Sequence, residues 1–215
     1  MKKVIAIFVI FLCASAALSA QMQMSAGVGG SFTTAFGGGM KISSSSASGT
    51  IEFPYSGGGF HAFFDFSYVE VSAGLFYGTL DMAQTTASSS SSAKFMDIEG
   101  LTLGLLGKYP IDLGFMTLFP AVGIEYMIIA KGTNGNYTIT DADKFNHLWI
   151  KFGVGADFSI TEQIYIRGTV LYGIRFESKF ESDLRDIYNN YGYYDNVDSL
   201  LGHGIQIKFA VGYRW

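Results

Sequence analysis

Residues 204–215 have the sequence GIQIKFAVGYRW, in which apolar side chains alternate with polar or small ones. Because successive side chains of a β-strand point to opposite faces, this alternation predicts a strand with one apolar and one polar face. The apolar face would carry Ile205, Ile207, Phe209, Val211, Tyr213 and Trp215. Gln206, Lys208 and Arg214 would lie on the other face. The strand is therefore predicted to separate two different environments.

An aromatic residue, Trp215, stands at the end of this strand. The pattern resembles the closing strand of bacterial outer-membrane β-barrels. The resemblance implies that the chain is surrounded by outer-membrane lipid and that its C-terminal strand is read by the barrel assembly machinery. The residues of this implied assembly signal are Phe209, Val211, Tyr213 and Trp215.

Residues 1–20 have the layout of a secretory signal peptide. A charged start is followed by an apolar run from Val4 and by small residues from position 14 to position 20. Cleavage is expected near residue 20, which leaves residues 21–215 as a single β-barrel domain. Export is therefore predicted.

Composition narrows the class of protein. The only cysteine, Cys13, lies in the predicted signal peptide, so the mature chain is expected to hold no disulfide. The formal net charge of -4 and the lack of a basic cluster argue against nucleic acid as a partner. After residue 20 no segment approaches the ~20 apolar residues of a membrane helix. Any membrane-spanning part would therefore have to be a closed β-barrel.

The same alternation recurs upstream, which predicts an all-β, transmembrane, antiparallel up-and-down barrel of eight strands, with ten as the alternative count. The other predicted strands are residues 22–40, 58–67, 69–80, 95–109, 115–129, 145–158 and 164–176. The connections alternate between short and long, as do the periplasmic turns and extracellular loops of such barrels. The long ones, predicted to be solvated loops, are residues 43–57, 83–94, 131–144 and 178–202.

The polar face of these strands is rich in glycine, which suits a narrow barrel interior better than a water-exposed surface. Its charged residues are predicted to form a lumen charge network. They are Asp65, Glu70, Lys108, Glu125, Lys151, Asp157, Arg167, Arg175, Lys208 and Arg214. Asp157 should lie opposite Arg167 across a turn. Because buried charges must be paired, we expect a salt-bridged, filled interior, with polar stations for a small solute as the alternative.

The sequence offers little that points to catalysis or to a metal. His61, His147 and His203 are expected near extracellular strand ends, and the first two should point inward, but no carboxylate or cysteine at metal spacing completes a site. Ser199 and Asp198 lie close to His203, but serine is too common in this chain for that adjacency to indicate a catalytic triad. No cofactor, metal or enzymatic activity is therefore predicted.

The last long connection has a distinctive composition. Residues 188–196 are rich in Tyr, Asn and Gly, the residue types of adaptable protein contacts. We therefore interpret this segment as an interaction loop for host or environmental ligands. Its candidate contact residues are Tyr188, Tyr191, Tyr193 and Tyr194.

Over the mature chain the architecture is similar to the small eight-stranded barrels of the OmpA-transmembrane, OmpX and OmpW kinds. The resemblance rests on architecture, and it carries over no functional residue. Two roles remain open: a structural or surface-interaction protein, or a narrow channel for small or apolar solutes, as the OmpW-like barrels imply. Inward Phe63, Phe76, Leu106 and Leu171 would favour the channel. A soluble lipocalin-like carrier and an outer-membrane enzyme are less favoured alternatives.

Overall fold

Eight long strands form a closed ring in the computed structural model, which describes residues 23–44, 48–191 and 196–215. The strands are β1 (Met24–Ser43), β2 (Ser48–Glu52), β3 (Tyr55–Phe66), β4 (Val69–Thr86), β5 (Ser90–Lys108), β6 (Ile111–Asp112), β7 (Met116–Asn134), β8 (Tyr137–Ile139), β9 (His147–Ser159), β10 (Ile164–Arg175) and β11 (Asn196–Arg214). A 3-10 turn (Ala142–Phe145) precedes β9, and an α-helix, α1 (Lys179–Tyr191), follows β10. The predicted signal peptide, residues 1–20, lies outside the described residues.

The ring runs β1-β3-β4-β5-β7-β9-β10-β11, and each neighbouring pair is antiparallel. It closes because β11 pairs with β1 from Ser25↔Arg214 to Ser43↔Asn196. The short strands β2, β6 and β8 pair with members of the ring and do not widen it. The predicted up-and-down barrel is therefore confirmed, with eight strands in the ring and not ten.

The register gives the tilt of the strands. Following paired residues once round the ring from Val69 leads back to Thr79 on the same strand, ten residues further along. A stagger of this size requires the strands of a barrel to tilt by roughly 35 to 45°. An eight-stranded barrel leaves an interior just wide enough for side chains to fill.

The outer face of the ring is apolar and the inner face is polar. Val28 and Phe60 point outward and are 66% and 73% exposed, whereas Lys151 and Arg167 point inward and are buried. A soluble lipocalin-like carrier would have the opposite distribution, so the structure argues against that alternative. An apolar band round a closed ring is stable in lipid, as in transmembrane barrels.

The two ends of the barrel differ. At one end, which we call the turn end, residues 67–68 and 160–163 form short turns. At the other, the helix end, the strands continue well past their predicted limits. β4 and β5 run to a connection of only three residues, 87–89, with Ala83 opposite Ser92 and Thr85 opposite Ser90. The prediction of a solvated loop at residues 83–94 is therefore wrong, because a strand with polar side chains on both faces shows no alternation.

The helix end encloses a hydrophobic core. Its buried members include Met40, Ile51, Phe53, Met96, Ile98, Met127, Ile129 and Val197. They come from the inward faces of the extended strands and from the break between β2 and β3.

Two further predicted loops therefore contribute ordered structure, since residues 43–57 contain β2 and residues 131–144 contain β8 and the 3-10 turn. Among the described residues, no helix combines the length and the apolarity needed to cross a membrane.

Candidate functional site

Helix α1 lies at the helix end of the barrel, and it begins with a capping box. The backbone N–H of Ser178 donates to Glu181 Oε2 at 2.7 Å, and the Glu181 N–H donates to the Ser178 hydroxyl at 3.3 Å. The other oxygen of Glu181 accepts a hydrogen bond from Arg175 Nη2 at 2.7 Å, and both side chains are buried. One carboxylate therefore begins the helix and ties it to the last residue of β10.

Arg175 also needs the glycine beneath it. Gly38 in β1 has a φ of +76°, and a Cβ placed there would overlap the Arg175 guanidinium. Only glycine tolerates both that backbone conformation and that close approach. The positive φ of Gly38 and the Arg175 ion pair therefore depend on the same glycine.

The apolar side of α1 packs into the barrel mouth. Phe180, Leu184 and Tyr188, spaced four residues apart, contact the hydrophobic core. The Phe180 ring stacks on Phe145 with centroids 4.3 Å apart and meets Phe53 edge-on at 5.4 Å. The helix is therefore a plug, and its apolar face is part of the core.

The predicted interaction loop at residues 188–196 is thus partly wrong. Tyr188 lies in α1 and is half-buried against the core, and Tyr191 is the last residue of the helix. Tyr193 and Tyr194 lie outside the described residues. The Tyr and Asn content suggested a loop, whereas the capping box at Ser178 and Glu181 was the sequence signal for a helix start.

A surface contact also holds α1 to the neighbouring connection. Lys144 Nζ lies 3.4 Å from Asp141 and 3.6 Å from Asp183 of α1. The pKa of Lys144 is raised, first by its hydrogen bond to Asp141 and then by the negative charge of that carboxylate. Because these ion pairs lie at the surface, they contribute little to stability.

An aromatic layer lies below the plug. Trp149 Nε1 donates to the Tyr55 hydroxyl at 3.0 Å, and that hydroxyl lies 3.1 Å from His147 Nε2. His147 Nδ1 lies 2.8 Å from the Phe145 carbonyl, which can only accept, so Nε2 is left to accept from Tyr55. Both ring nitrogens of His147 are occupied. No group of three or more His, Cys, Asp or Glu that could hold a metal occurs among the described residues.

A polar layer, which we call the Lys151 layer, consists of Lys151, Glu125, Lys208, Gln206 and Thr33. Lys151 donates to Glu125 and, at 3.0 Å, to Gln206 Oε1. Gln206 Nε2 donates to Thr33 Oγ1 at 3.1 Å, and Lys208 Nζ lies 3.4 Å from Glu125. All five residues are buried. These contacts join β1, β7, β9 and β11 across the lumen.

His61 also points inward, but not where we expected it. It lies in the middle of β3, opposite Gly29 and Gly74, and not at the extracellular end of a strand. The expectation is wrong because β3 begins at Tyr55, three residues before the predicted strand.

The deepest layer, the Arg167 layer, is built around one guanidinium. Arg167 contacts Asp157 and Glu70 at 2.6 Å and Asp65 at 2.8 Å. Lys108 donates to Asp65, and Arg214 lies 3.6 Å from Asp157. These six residues form the layer, and all but Lys108 and Arg214 are buried as whole residues.

Aromatic rings enclose this guanidinium. The Arg167 carbon Cζ lies 4.6 Å from the centroid of the Phe63 ring, 5.0 Å from Phe119 and 5.2 Å from Tyr165. Such contacts add cation–π attraction to the ion pairs, and they exclude water. The turn end of the lumen is therefore closed by side chains.

The structure places all ten residues of the predicted lumen charge network on the inner side of the barrel, but it divides them. Six belong to the Arg167 layer and three to the Lys151 layer, while Arg175 pairs with Glu181 of α1. Glu181 was missed because it lies in a segment we expected to be a loop. The spacing of residues along the strands could not have predicted that the charged residues divide into separate layers.

Apolar side chains fill the spaces between the charged layers. Leu106 and Leu171 are buried with Phe119 and Ala121, Phe63 is buried with Tyr165, and Phe76 belongs to the core of the helix end. A cavity of about 10 Å³ lies beside Phe53, Tyr55 and Arg175, which is room for one water molecule. The inward apolar residues therefore pack against one another and do not line an open path.

The serine, aspartate and histidine near residue 200 do not converge. His203 lies on the outer side, where its Nδ1 is 2.7 Å from the Tyr172 hydroxyl and its ring stacks on Phe36. Ser199 and Asp198 are exposed on the extension of β11. Among the described residues no hydrogen bond links these three side chains into a triad.

No protein-family model and no curated protein matches the chain. Among solved structures, it is similar to the outer membrane protein OprG from Pseudomonas aeruginosa, with 11% identity over 90% of this chain and 96% of that chain and a TM-score of 0.49. Neisserial surface protein A (NspA) gives 10% identity over 89% and 97% of the two chains and a TM-score of 0.47.

Ail, the attachment invasion locus protein of Yersinia pestis, solved with the heparin analogue sucrose octasulfate, gives 10% identity over 90% and 100% of the two chains. Its TM-score is 0.36. At these identities and TM-scores, the similarities to solved structures add no evidence on the fold beyond the strand register of the chain itself. Its role has to be argued from its own residues.

Proposed function

We propose that the chain is an integral β-barrel protein of the bacterial outer membrane, that its lumen is closed, and that it has a structural or surface-interaction role. The observation that carries this proposal is the filled interior. Buried ion pairs, apolar clusters and the α1 plug follow one another along the barrel axis. Such a barrel can present a surface to its environment, but its lumen leaves no open path for a solute.

The surface available for contacts is the helix end. Outside the apolar band its strands expose polar side chains, including Ser92, Lys94 and Lys131. Tyr137, at the turn between β7 and β8, is 81% exposed and follows two asparagines and Gly135. Tyrosine and asparagine in a turn suit contacts with a host or environmental ligand.

The C-terminal strand supports the membrane part of the proposal. Phe209, Val211 and Tyr213 lie on the outer face of β11, Trp215 follows its last residue, and all four are exposed. They would meet lipid, and in the unfolded chain they would be available to the assembly machinery. That assembly role remains a prediction.

Conductance and surface exposure test the proposal together. In planar bilayers the purified barrel should give no reproducible single-channel steps, because the aromatic layer, the Lys151 layer and the Arg167 layer obstruct the lumen. Steps that a bulky substitution at Leu171 abolishes would favour the narrow channel instead.

Surface exposure needs a matched pair of insertions. A protease site placed in the connection at residues 87–89 should be cut in intact cells, and the same site in the turn at residues 67–68 should be protected. Equal cutting, or the reverse pattern, would contradict the orientation.

A further inference from the structure

The charges inside the barrel balance in two places and not in the third. The Arg167 layer has three carboxylates and three cations, and Arg175 is matched by Glu181. In the Lys151 layer two ammonium groups, Lys151 and Lys208, share the single carboxylate of Glu125. A surplus positive charge in a buried setting is costly unless something compensates it.

Lys208 is the less satisfied of the two lysines. Glu125 is held closely by Lys151, which also donates to Gln206. Among the described residues the Lys208 ammonium makes a single hydrogen bond, of 3.4 Å to Glu125, although the group has three N–H donors. Its side chain is only 7% exposed, so water does not supply the missing partners freely.

The imidazole of His61 is a second buried group with an unsatisfied hydrogen-bonding atom. His61 is 8% exposed, and within the described part of the chain its Nδ1 has no hydrogen-bond partner. The charged groups that act on its imidazole are Lys208 from β11, Glu125 from β7 and Arg167 from β10, with Lys208 the strongest of the three.

The strand between them carries small residues on its inward face. β1 separates His61 from Lys208, and its inward residues at this height are small: Gly29 lies opposite His61, and Ser31 lies opposite Lys208. No large β1 side chain therefore stands between the imidazole and the ammonium.

We propose that Lys208 and His61 together bind a small monovalent inorganic anion of the chloride class. The anion pairs with the surplus ammonium charge and accepts a hydrogen bond from the imidazole N–H. It makes the Lys151 layer as balanced as the layers on either side. The proposal does not require the barrel to conduct, since the anion is held as a buried counter-ion.

Anion-dependent stability tests the site on the whole refolded protein in detergent. The urea midpoint of unfolding is measured in sodium chloride and in sodium gluconate at equal ionic strength. The midpoint should rise with chloride, and at a concentration about 100 times the dissociation constant the unfolding equilibrium shifts about 100-fold. Lys208→Gln should remove this dependence.

Two further variants keep the test decisive. Lys131→Gln, which removes an exposed lysine paired with Glu99, should keep the full chloride dependence. His61→Leu should weaken it, and it serves if the Lys208 variant does not fold. A bromide-soaked crystal should show an anomalous peak beside Lys208 Nζ.

Equal midpoints of the folded wild type in chloride and gluconate would overturn the proposal. Chloride dependence that persists undiminished in Lys208→Gln would overturn it as well, because the anion would then act elsewhere.

Discussion

The lipid-facing half of the barrel and the half at the helix end have opposite distributions of polar and apolar side chains. In the first, charged groups such as Arg167 and Lys151 lie inside and apolar side chains such as Val122 lie outside. In the second, Met40 and Met96 lie inside, whereas Lys94 and Asp97 lie outside, about half exposed. Strands β1, β4, β5, β7 and β11 run from one half into the other, so strand geometry does not decide which side is apolar. The surroundings decide it, because lipid favours an apolar exterior and water favours a polar one.

The two halves also differ in what stabilises them. Paired charges around Arg167 hold the lipid-facing half, where leaving one charge unpaired costs more than the pair itself contributes. Burial of apolar side chains holds the helix end, as in a soluble protein. Substitutions of equal size should therefore have different consequences in the two halves.

Loss of the central guanidinium should have the largest effect. Arg167→Ala leaves Asp65, Glu70 and Asp157 buried together with too little positive charge, which should cost about 3 to 5 kcal/mol. Loss of the heat-modifiable gel shift and a lower urea midpoint would measure it. Lys94→Ala, which breaks an exposed pair with Asp97, is the matched control, and its expected cost is below about 1 kcal/mol. Similar losses for the two variants would contradict the layered interior.

A cavity at the helix end should be costly but local. Met96→Ala removes a fully buried side chain from the core, which should cost about 2 to 5 kcal/mol. Because Met96 does not contact the Arg167 layer, proteolysis within α1 should accelerate before the barrel itself unfolds. Hydrogen exchange by mass spectrometry would compare the two halves. Uniform acceleration would show that they unfold as one unit.

A lysine on the outer wall sharpens the comparison directly. Val122→Lys places a charge within the apolar band, where the cost near the middle of a bilayer is about 2 to 4 kcal/mol. Ser92→Lys places the same charge on the exposed surface of the helix end and should change stability by less than about 0.5 kcal/mol. Unfolding from lipid vesicles measures both. Equal tolerance at the two positions would place the apolar band elsewhere.

The smallest effect belongs to the exposed contact of Lys144. The pKa of this lysine is raised above its ordinary value of 10.5 by Asp141, so its contribution to stability is present below pH 10.5 and is lost as the pH rises through the raised value. Lys144→Gln should remove that alkaline step in the unfolding midpoint and leave the midpoint at neutral pH almost unchanged. A step that persists in the variant would have to come from another group.

Prediction from the sequence succeeded where one face of a strand differs from the other. The position of Asp157 opposite Arg167 across the β9–β10 turn and the inward direction of both side chains were predicted from the period of two and the length of the turn. It failed for the β4–β5 hairpin, whose serines show no contrast between faces, and for α1, whose tyrosines and asparagines suggested a loop. Glu181 could have been found from its capping box with Ser178, but its pairing with Arg175 could not.

The sequence by itself determined the strand alternation, the even strand count and the inward direction of the charged residues, because these depend only on local geometry and on the chemistry of each side chain. Only the tertiary structure decided how the charges divide into layers, that a helix plugs the mouth, and that one lysine lacks a counter-charge. Those features depend on the closure and stagger of the ring, which bring together residues 102 positions apart, such as Asp65 and Arg167, and 173 positions apart, such as Thr33 and Gln206, and no local pattern encodes them.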